Sequence, residues 1–266
     1  MYKYGGEQIT NYDEFIIKIY KLTGIDLSLY KEKQMKRRID SLIASNNCKN
    51  YDEFFYKLTI DKRLYNEFLK YITINVTEFF RNIEQWNILK LEILPKLIKK
   101  NMRIWSAACS TGEEPYSLAM ILSEFIDLSQ VFILATDIDE SVLEKAKKGI
   151  YNKKSVEKIP KEYFYKYFSK HGENTYIISE ELRKNINFKK HDLLIDKYPE
   201  NFDLIICRNV LIYFNDKAKD DIYKKINLSL SDEGVFFVGS TEQIIFPYKY
   251  NFEPVKTFFY KKLKNK

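Results

Sequence analysis

The sequence predicts an α/β protein in two parts, an N-terminal all-α bundle over residues 1–78 and a larger α/β domain over residues 79–266. Up to about residue 78, apolar residues recur at helical spacing and no strand pattern interrupts them. After Asn101, short and strongly apolar segments alternate with helical patterns, which is typical of a parallel sheet covered on both faces. Residues 150–185 break that alternation and are too long for a simple connection, so we expect a small inserted subdomain there.

Four helices are expected in the N-terminal part. The first begins after a cap at Thr10 or Asn11 and ends at Gly24. The second covers roughly Ser28–Ser45, and Asn50 opens a short third helix. A fourth helix follows. The apolar residues expected on the four helices are, in order, Phe15, Ile16, Ile19 and Tyr20; Met35, Ile39, Leu42 and Ile43; Phe54, Phe55 and Leu58; and Leu64, Phe68, Leu69 and Ile72.

Five apolar segments are predicted to form the parallel sheet: Ile104–Ala107, Val131–Thr136, Ile186–Phe188, Leu204–Cys207 and Val235–Val238. Phe252–Leu263 contains two more β-prone runs around a turn near Lys256, which favours an antiparallel hairpin that closes the sheet. Within the insertion, KEYFYKYFSK has a helical pattern, His171–Asn174 a turn pattern and TYIIS a strand pattern. The insertion is therefore expected to mix helix and strand.

The composition excludes several classes of protein. With 266 residues, 45% of them hydrophobic and 16% aromatic, the chain can bury a large core. Its apolar runs are far shorter than the roughly 18–20 residues of a membrane span, and MYKYGGEQIT lacks the apolar core of a signal peptide. Three widely spaced cysteines fit reduced thiols better than a disulfide framework. We expect a folded cytoplasmic protein without membrane insertion.

Histidine and charge limit the chemistry further. The chain has only His171 and His191, so a His-rich metal site is disfavoured, no metal is expected, and an enzyme of this sequence would work without imidazole. The net charge of +7 is compatible with a nucleic-acid partner, an acidic protein partner or a lysine-rich surface. Charge alone leaves these three alternatives open.

A nucleotide-type motif follows the first predicted strand. RIWSAACSTGEEPYSLAM reads as a strand, a turn around Gly112 and a helix that begins near Pro115, and its single glycine disfavours a pyrophosphate cradle. Asp137 ends the next strand, where a carboxylate can accept hydrogen bonds from both ribose hydroxyls. This pattern favours an adenosine ligand without phosphates, such as S-adenosylmethionine. The alternative is that Asp137 and Asp139 only cap the following helix.

Five longer motifs carry a family resemblance. NVTEFFRN, WSAACSTGEEPYSLAM, ATDIDESVLEKAKKGIY, FDLIICRNVLIYF and GSTEQI occur in the order found in the chemotaxis receptor glutamate O-methyltransferases, and the chain resembles this CheR family over nearly its whole length. The resemblance implies a Rossmann-like S-adenosylmethionine-dependent methyltransferase domain. It also implies methyl transfer to glutamate side chains on the cytoplasmic helices of chemoreceptors, with S-adenosylhomocysteine as product.

The resemblance further implies the residues of the site. Arg81 and Tyr213 would be catalytic, with Tyr213 close to the transferred methyl group. Asp192 and Leu193 would flank the adenine, at a position where the family often has Asn-Leu. The complete implied cofactor set, with Gly112 of the turn, is Asn75, Thr77, Arg81, Gly112, Glu114, Asp137, Asp192, Leu193, Arg208 and Asn209.

A basic segment in the N-terminal part is the candidate for substrate binding. KEKQMKRR, residues 31–38, includes Lys33, Lys36, Arg37 and Arg38 on the second predicted helix. Such a run is most often a solvated helix face, whereas the resemblance implies that it faces acidic receptor helices. In some family members the inserted subdomain docks a receptor peptide through a glycine-rich loop; FSKHGENTY has one glycine, so we expect no such tether here.

The scarcity of histidine agrees with this chemistry. A glutamate carboxylate has an ordinary pKa of about 4.3 and attacks a methyl group without losing a proton first. Two rival functions remain as alternatives: a nucleic-acid methyltransferase and a cofactor-binding regulator without turnover. The first is disfavoured because CRNVLIYF stands where amino-methylating enzymes have Asn/Asp-Pro-Pro-aromatic, and the second by the combined presence of the site residues. We expect a monomer with no nucleic-acid partner.

Overall fold

The chain forms two compact units. A computed structural model describes Ile9 and residues 11–264. The first unit runs to Ile74 and also contains Tyr213–Lys219, and the second contains Asn75–Ile212 and the residues from Asp220 onward. The NVTEFFRN motif therefore belongs entirely to the second unit, whereas Tyr213 belongs to the first.

The first unit is a helical bundle, as its periodicity predicts. Asn11, Asn50 and Asp61 cap three of its helices by accepting hydrogen bonds from backbone N–H groups of the first turn. Phe15, Phe54 and Phe68 are fully buried, and their ring centroids lie 6.0–6.4 Å apart. The helices are α1 (Tyr12–Thr23), α2 (Glu32–Ser45), α3 (Tyr51–Ile60) and α4 (Lys62–Thr73).

Two predictions at the helix starts have different outcomes. The cap at Asn11 is confirmed, and the alternative Thr10 lies outside the described residues. The expected start of the second helix at Ser28 is wrong, because α2 begins only at Glu32. The Asp26 carboxylate accepts hydrogen bonds from the backbone N–H and the hydroxyl of Ser28, and this local turn produces a short 3₁₀ helix instead.

A distant segment completes the first unit. Tyr30 and Phe214 form an isolated antiparallel bridge, and their rings meet edge to face at 5.0 Å. The Lys31 N–H donates to the Tyr213 carbonyl at 2.8 Å, and the Asn215 N–H donates to the Leu29 carbonyl at 2.9 Å. These backbone bonds hold the residues around Tyr213 against the start of α2.

The second unit contains the predicted sheet. Its seven strands have the order β6-β2-β1-β7-β8-β10-β9; the first five are parallel, and β10 and β9 are antiparallel as the expected hairpin. Every residue of β7 is buried, which requires cover on both faces. The strands of the described residues are β1 (Met102–Ala107), β2 (Val131–Asp137), β3 (Ile150–Asn152), β4 (Phe168–Lys170), β5 (Thr175–Ile178), β6 (Ile186–Lys190), β7 (Phe202–Cys207), β8 (Leu230–Val238), β9 (Phe252–Lys256) and β10 (Phe259–Lys262).

Helices connect most of these strands. Before β1, the helix Ile83–Ile88 continues through a π-helical stretch, Leu89–Ile93, into the helix Leu94–Leu97. None of the helices in the described residues has the length and apolar character needed to cross a membrane. The remaining helices are α5 (Ile83–Ile88), α6 (Leu94–Leu97), α7 (Glu113–Leu122), α8 (Glu140–Lys148), α9 (Lys153–Val156), α10 (Lys161–Tyr167), α11 (Glu180–Lys184) and α12 (Asp216–Ser229).

The interval 150–185 folds as a small subdomain. β3, β5 and β4 form a separate antiparallel sheet in the order β3-β5-β4. The predicted helix KEYFYKYFSK is wrong in its last three residues, because α10 ends at Tyr167 and Phe168–Lys170 forms β4. Phe168 pairs with Ile178 of β5, so a partner ten residues along the chain overrides the local helical pattern.

Candidate cofactor-binding site

The turn between β1 and α7 has an unusual backbone. Ala108, Ser110 and Gly112 all lie in the left-handed region, with φ of 60°, 49° and 94°. A Cβ atom on Gly112 would lie 2.9 Å from the Ala146 Cβ and 3.2 Å from the Tyr151 hydroxyl oxygen. Only glycine therefore fits at this position. The turn leads directly into the N-terminus of α7, whose first N–H groups have no acceptor within the helix.

Asp137 connects this turn to the end of β2. Its Oδ2 accepts from the Ser110 N–H at 2.8 Å, and its Oδ1 accepts from the Asp139 N–H at 3.0 Å. Burial raises the pKa of Asp137 to about 6, although the two N–H donors act in the opposite direction. Each carboxylate oxygen keeps further acceptor capacity, so the group can still accept hydrogen bonds from a diol.

The NVTEFFRN motif reaches the same edge of the sheet. Asn75 donates from its amide to Asp139 Oδ2 at 2.9 Å, while Asp139 Oδ1 caps α8 by accepting from the Ser141 N–H. Farther along the motif, the Phe80 N–H donates to Ser117 Oγ of α7 at 3.0 Å. These bonds bring the motif to both helices that follow β1 and β2. Thr77 lies between them in the sequence and is half-buried.

Arg81 is flanked by two residues with left-handed backbone. The residues before and after it, Phe80 and Asn82, have positive φ values of 50° and 60°. The Arg81 carbonyl accepts from Arg208 Nη2 at 2.7 Å and from Trp86 Nε1 at 3.1 Å. Its own guanidinium donates to the Val76 carbonyl at 3.0 Å. Among the residues that the structure describes, no carboxylate forms an ion pair with Arg81, so its charge is available to an anionic group.

Glu114 and Arg208 form a buried pair beside β1. Glu114 Oε2 lies 3.5 Å from Arg208 Nη1, and Glu114 Oε1 accepts from the Ser106 hydroxyl at 2.8 Å. Burial raises the pKa of Glu114, and the neighbouring guanidinium opposes this. The side chain of Arg208 is only 2% exposed. The pair is therefore held almost entirely by protein groups.

The other contacts of Arg208 also point into the protein. Besides the Arg81 carbonyl, its Nη2 donates to Gln85 Oε1 at 2.8 Å. The guanidinium lies over the rings of Phe237 and Trp86, with its carbon 4.8 and 5.4 Å from their centroids. The family resemblance implies that Arg208 lies at the cofactor, and in the structure its hydrogen-bond donors are directed to residues that shape the site.

Asp192 and Leu193 follow β6. Asp192 Oδ1 accepts from the Leu194 N–H at 2.8 Å, and burial raises the pKa of Asp192. Leu193 is buried, and its carbonyl accepts from the Tyr198 hydroxyl at 2.8 Å. The preceding His191 N–H donates to the Asp137 carbonyl at 2.9 Å, so this turn adjoins the end of β2.

Gly239 and Glu242 shape the segment around Asn209, and neither was singled out from the sequence. Asn209, after β7, has a φ of 61°, and its N–H donates to the carboxylate of Glu242. A Cβ on Gly239 would lie 2.9 Å from the Asn209 backbone nitrogen, so glycine is required there too. GSTEQI contains both Gly239 and Glu242, and the motif itself was the available signal.

Histidine and cysteine take no visible part in this arrangement. His191 is buried against Trp105 and Tyr198, and burial lowers its pKa. Cys109 and Cys207 are buried, and burial raises the pKa of both thiols well above the usual range. The described residues contain no cluster of three or more His, Cys, Asp or Glu side chains that could hold a metal ion.

The basic residues of the first unit are not equivalent. Lys33, Lys36 and Arg37 are exposed on α2 and border an open groove of about 500 Å³. Arg38 is half-buried, and its guanidinium lies 4.3 Å from the ring centroid of Tyr71 and donates to the Tyr71 carbonyl. Arg38 therefore ties α2 to α4, whereas the other three cations face solvent.

The residues at the carboxyl edge of the sheet fit an adenosine cofactor. Ser110 Oγ is buried and has no hydrogen-bond partner among residues 11–264, which leaves one polar group for a ligand. Gly112 keeps the turn open to close approach, and Asp137 offers acceptors to ribose hydroxyls. These groups suit an uncharged ribose and adenine better than a pyrophosphate.

Comparison with known proteins decides the family. The model described as "CheR methyltransferase, SAM binding domain" matches residues 75–259, and "CheR methyltransferase, all-alpha domain" matches residues 10–73. The chain belongs to the CheR methyltransferase family. The predicted resemblance, the two-part fold and S-adenosylmethionine as cofactor are thereby confirmed.

Curated relatives extend over most of this CheR methyltransferase. A "chemotaxis protein methyltransferase" of Listeria monocytogenes is 45% identical over 240 residues, which are 89% of this chain and 91% of the relative. A protein of the same description from Borreliella burgdorferi is 38% identical over 246 residues, 86% of this chain and 87% of the relative. The similarity therefore includes both units.

Proposed function

We propose that this CheR methyltransferase acts in chemotaxis and transfers the methyl group of S-adenosylmethionine to glutamate side chains on the cytoplasmic helices of chemoreceptors. The observation that carries the proposal is the environment of the Arg81 guanidinium. Its guanidinium is oriented by the Val76 carbonyl and, within the described residues, has no acidic partner. A fixed cation at the cofactor edge favours a substrate that brings a carboxylate. The descriptions of the relatives support the chemotactic role.

The same proposal gives roles to the other residues. Asp137 holds the ribose hydroxyls, and Asp192 and Leu193 flank the adenine. Arg208 acts through Arg81 and Glu114, to which its donors are directed. The role that the family resemblance implies for Tyr213 stays a prediction. The remaining cofactor contacts are assigned to Asn75, Thr77, Gly112, Glu114 and Asn209.

The reaction requires orientation more than acid–base chemistry. The bound cofactor supplies an electrophilic methyl group on a sulfonium. The substrate carboxylate is ionised near neutral pH and needs no base, which fits a site whose nearby His191 is buried among aromatic rings. Arg81 would position the substrate carboxylate by hydrogen bonds and so limit the orientations in which it meets the cofactor.

The exposed cations of α2 supply the proposed substrate contact. Lys33, Lys36 and Arg37 share one solvent-facing side of the helix. Opposite charges across an interface raise the association rate and fix the register of the partners. We assign these three residues to the acidic methylation helices and assign Arg38 to the packing of the bundle.

The substrate class is tested by label transfer. The full chain is incubated with methyl-labelled S-adenosylmethionine and chemoreceptor cytoplasmic fragments, and the product is treated with alkali. A carboxyl methyl ester releases volatile methanol, whereas an N-methyl group does not. We expect alkali-labile label on the receptor. Alkali-stable label on DNA or RNA, with none on the receptor, would establish the rival nucleic-acid methyltransferase instead.

Reversal of the basic helix tests the substrate contact. In the double variant Lys33→Glu and Arg37→Glu, we expect kcat/KM for receptor fragments to fall by about tenfold at low salt, since opposed charges become like charges. Affinity for S-adenosylhomocysteine, measured by calorimetry, is expected to stay within about twofold. The matched control is Lys62→Glu with Lys70→Glu on α4, which are also exposed and make the same change in net charge. Equal losses in the two double variants would refute a specific contact at α2.

A further inference from the structure

Glu242 receives three backbone hydrogen bonds at the carboxyl edge of the sheet. It is 5% exposed, and its Oε2 accepts from the N–H groups of Asn209 and Gly239. Its Oε1 accepts from the Ile212 N–H at 3.2 Å. All three donors belong to the segments that leave the neighbouring parallel strands β7 and β8, where Cys207 pairs with Val238. The Glu242 side chain thus links the segment after β7 to the segment after β8.

The backbone around Glu242 is shaped to admit its carboxylate. A Cβ on Gly239 would collide with Glu242 Oε2 and would lie 3.0 Å from the Asn209 side-chain nitrogen. Such a separation is tighter than ordinary contact, so any larger residue at position 239 must displace either the carboxylate or Asn209. Gly239 is therefore needed for the close approach of these groups.

The segment held by Glu242 is the one that carries the site residues after β7. Asn209 has a left-handed backbone with a φ of 61°, which its hydrogen bond to Glu242 helps to maintain. Arg208 precedes it and holds the Arg81 carbonyl. If the carboxylate were lost, buried N–H groups would lack an acceptor and the segment would relax toward other conformations.

We infer that Glu242 is a positioning residue for cofactor binding: its carboxylate fixes the conformation of residues 209–212 and so places Asn209 against S-adenosylmethionine. The inference rests on the cofactor contact assigned to Asn209 in the proposed function. It does not depend on the identity of the methyl acceptor. A binding experiment without receptor therefore tests it separately from the substrate proposal.

Asp203 provides a matched control at the other end of β7. It is also buried, at 6% exposure, and its carboxylate accepts from the Arg103 N–H and the Ser231 hydroxyl, each at 2.9 Å. Replacement of either acid by its amide removes one negative charge and leaves a single acceptor oxygen. Both variants are expected to lose stability, but only Glu242 is hydrogen-bonded to the segment that carries Asn209.

The experiment is calorimetric titration of the full chain with S-adenosylhomocysteine. For Glu242→Gln we expect the Kd to rise by about tenfold while the binding stoichiometry stays that of wild type. For Asp203→Asn we expect the Kd within about twofold of wild type. A purely structural role for Glu242 would lower the active fraction, and thus the stoichiometry, without raising the Kd. That result, or equal Kd values in the two variants, overturns the inference.

Gly239→Ala decides the question if Glu242→Gln does not fold. This variant keeps the carboxylate but forces it or Asn209 to move. We expect a rise in Kd in the same direction, again of about tenfold, at unchanged stoichiometry. A folded Gly239→Ala variant that binds S-adenosylhomocysteine with wild-type affinity would show that the placement of this segment does not govern binding.

Discussion

The amino and carboxyl edges of the sheet in the second unit differ in how they use left-handed backbone. At the amino edge, the residues that precede β1 and β7 are Asn101 and Asn201, with φ of 60° and 66°. Asparagine tolerates this region better than most residues. At the carboxyl edge, the same region is occupied by Asn209 and also by Ala108 and Ser110, for which it is more costly because their side chains lack the local hydrogen bonds of asparagine.

Buried charges show the same difference. Asp203 at the amino edge has an ammonium partner, since Lys99 lies 2.6 Å from its carboxylate, and two further donors. At the carboxyl edge, burial raises the pKa of Asp137, Glu114 and Glu242. Groups that are strained or incompletely neutralised concentrate where ligands bind, because a ligand completes their interactions. We therefore predict that the amino edge mainly contributes stability and that the carboxyl edge contributes function.

The largest expected effect separates two arginines at these edges. Arg81→Ala removes the cation that orients the substrate carboxylate, and we expect kcat for receptor methylation to fall by about a hundredfold or more. Arg103 lies at the amino edge, where its guanidinium stacks on Phe132 and Phe202. Arg103→Ala should lower the free energy of unfolding by about 1 kcal/mol and leave kcat within about twofold. Steady-state kinetics and denaturant unfolding on both variants measure the contrast.

Two results would remove this contrast. If Arg103→Ala lost as much turnover as Arg81→Ala at a temperature where both are folded, the edges would not differ in function. If Arg81→Ala kept wild-type kcat, the proposed orientation of the substrate would be wrong, whatever the cofactor affinity of the variant. Circular dichroism under the assay conditions supplies the check on folding.

Patterns within one element could be predicted from the sequence. The apolar runs of β1, β2 and β7 gave the parallel core, and the caps at Asn11 and Asn50 gave two helix starts, because these signals depend on neighbours a few residues away. The strand–turn–helix order also predicted that Gly112 and Asp137 lie at one edge of the sheet, where the Ser110 N–H of the turn donates to Asp137.

Features that depend on distant partners were not predictable in the same way. The Tyr30–Phe214 bridge joins residues far apart in the chain and places Tyr213 in the first unit. Arg208 carries the motif of a cofactor residue, but its burial under Trp86 is visible only in three dimensions. Glu242 was recognisable as part of a motif, whereas two of its three N–H donors, Asn209 and Ile212, come from the distant segment after β7. Periodicity has no information on such pairings.

An intermediate effect is expected from pH. The pKa of Asp137 is about 6, and the proposed ribose contact uses the ionised form, which accepts from both hydroxyls. As the pH falls below that pKa, the protonated fraction grows and affinity falls. Binding of S-adenosylhomocysteine should be about tenfold weaker near pH 5 than near pH 7.5. Calorimetry across this range gives the profile.

Asp137→Asn isolates the contribution of that carboxylate. The amide does not titrate, so the variant should bind more weakly near neutral pH but show a nearly flat profile between about pH 5 and 7.5. Other buried acids at this edge, including Glu114 and Glu242, are unchanged in the variant. If binding to the variant depended on pH as steeply as binding to wild type, another buried acid would be the titrating group. The assignment of Asp137 to the ribose would then be wrong.

The smallest effect compares the two left-handed asparagines that flank β7. Asn201→Ala and Asn209→Ala should each lower the free energy of unfolding by about 1 kcal/mol, because alanine is strained at φ of 66° and 61°. Only Asn209→Ala should also raise the Kd for S-adenosylhomocysteine, by about fivefold. Asn209→Gly separates backbone from side chain, since glycine accepts the left-handed region and should recover stability while the Kd stays raised. Recovery of both properties in Asn209→Gly would mean that the backbone of residue 209, and not its amide side chain, serves the cofactor.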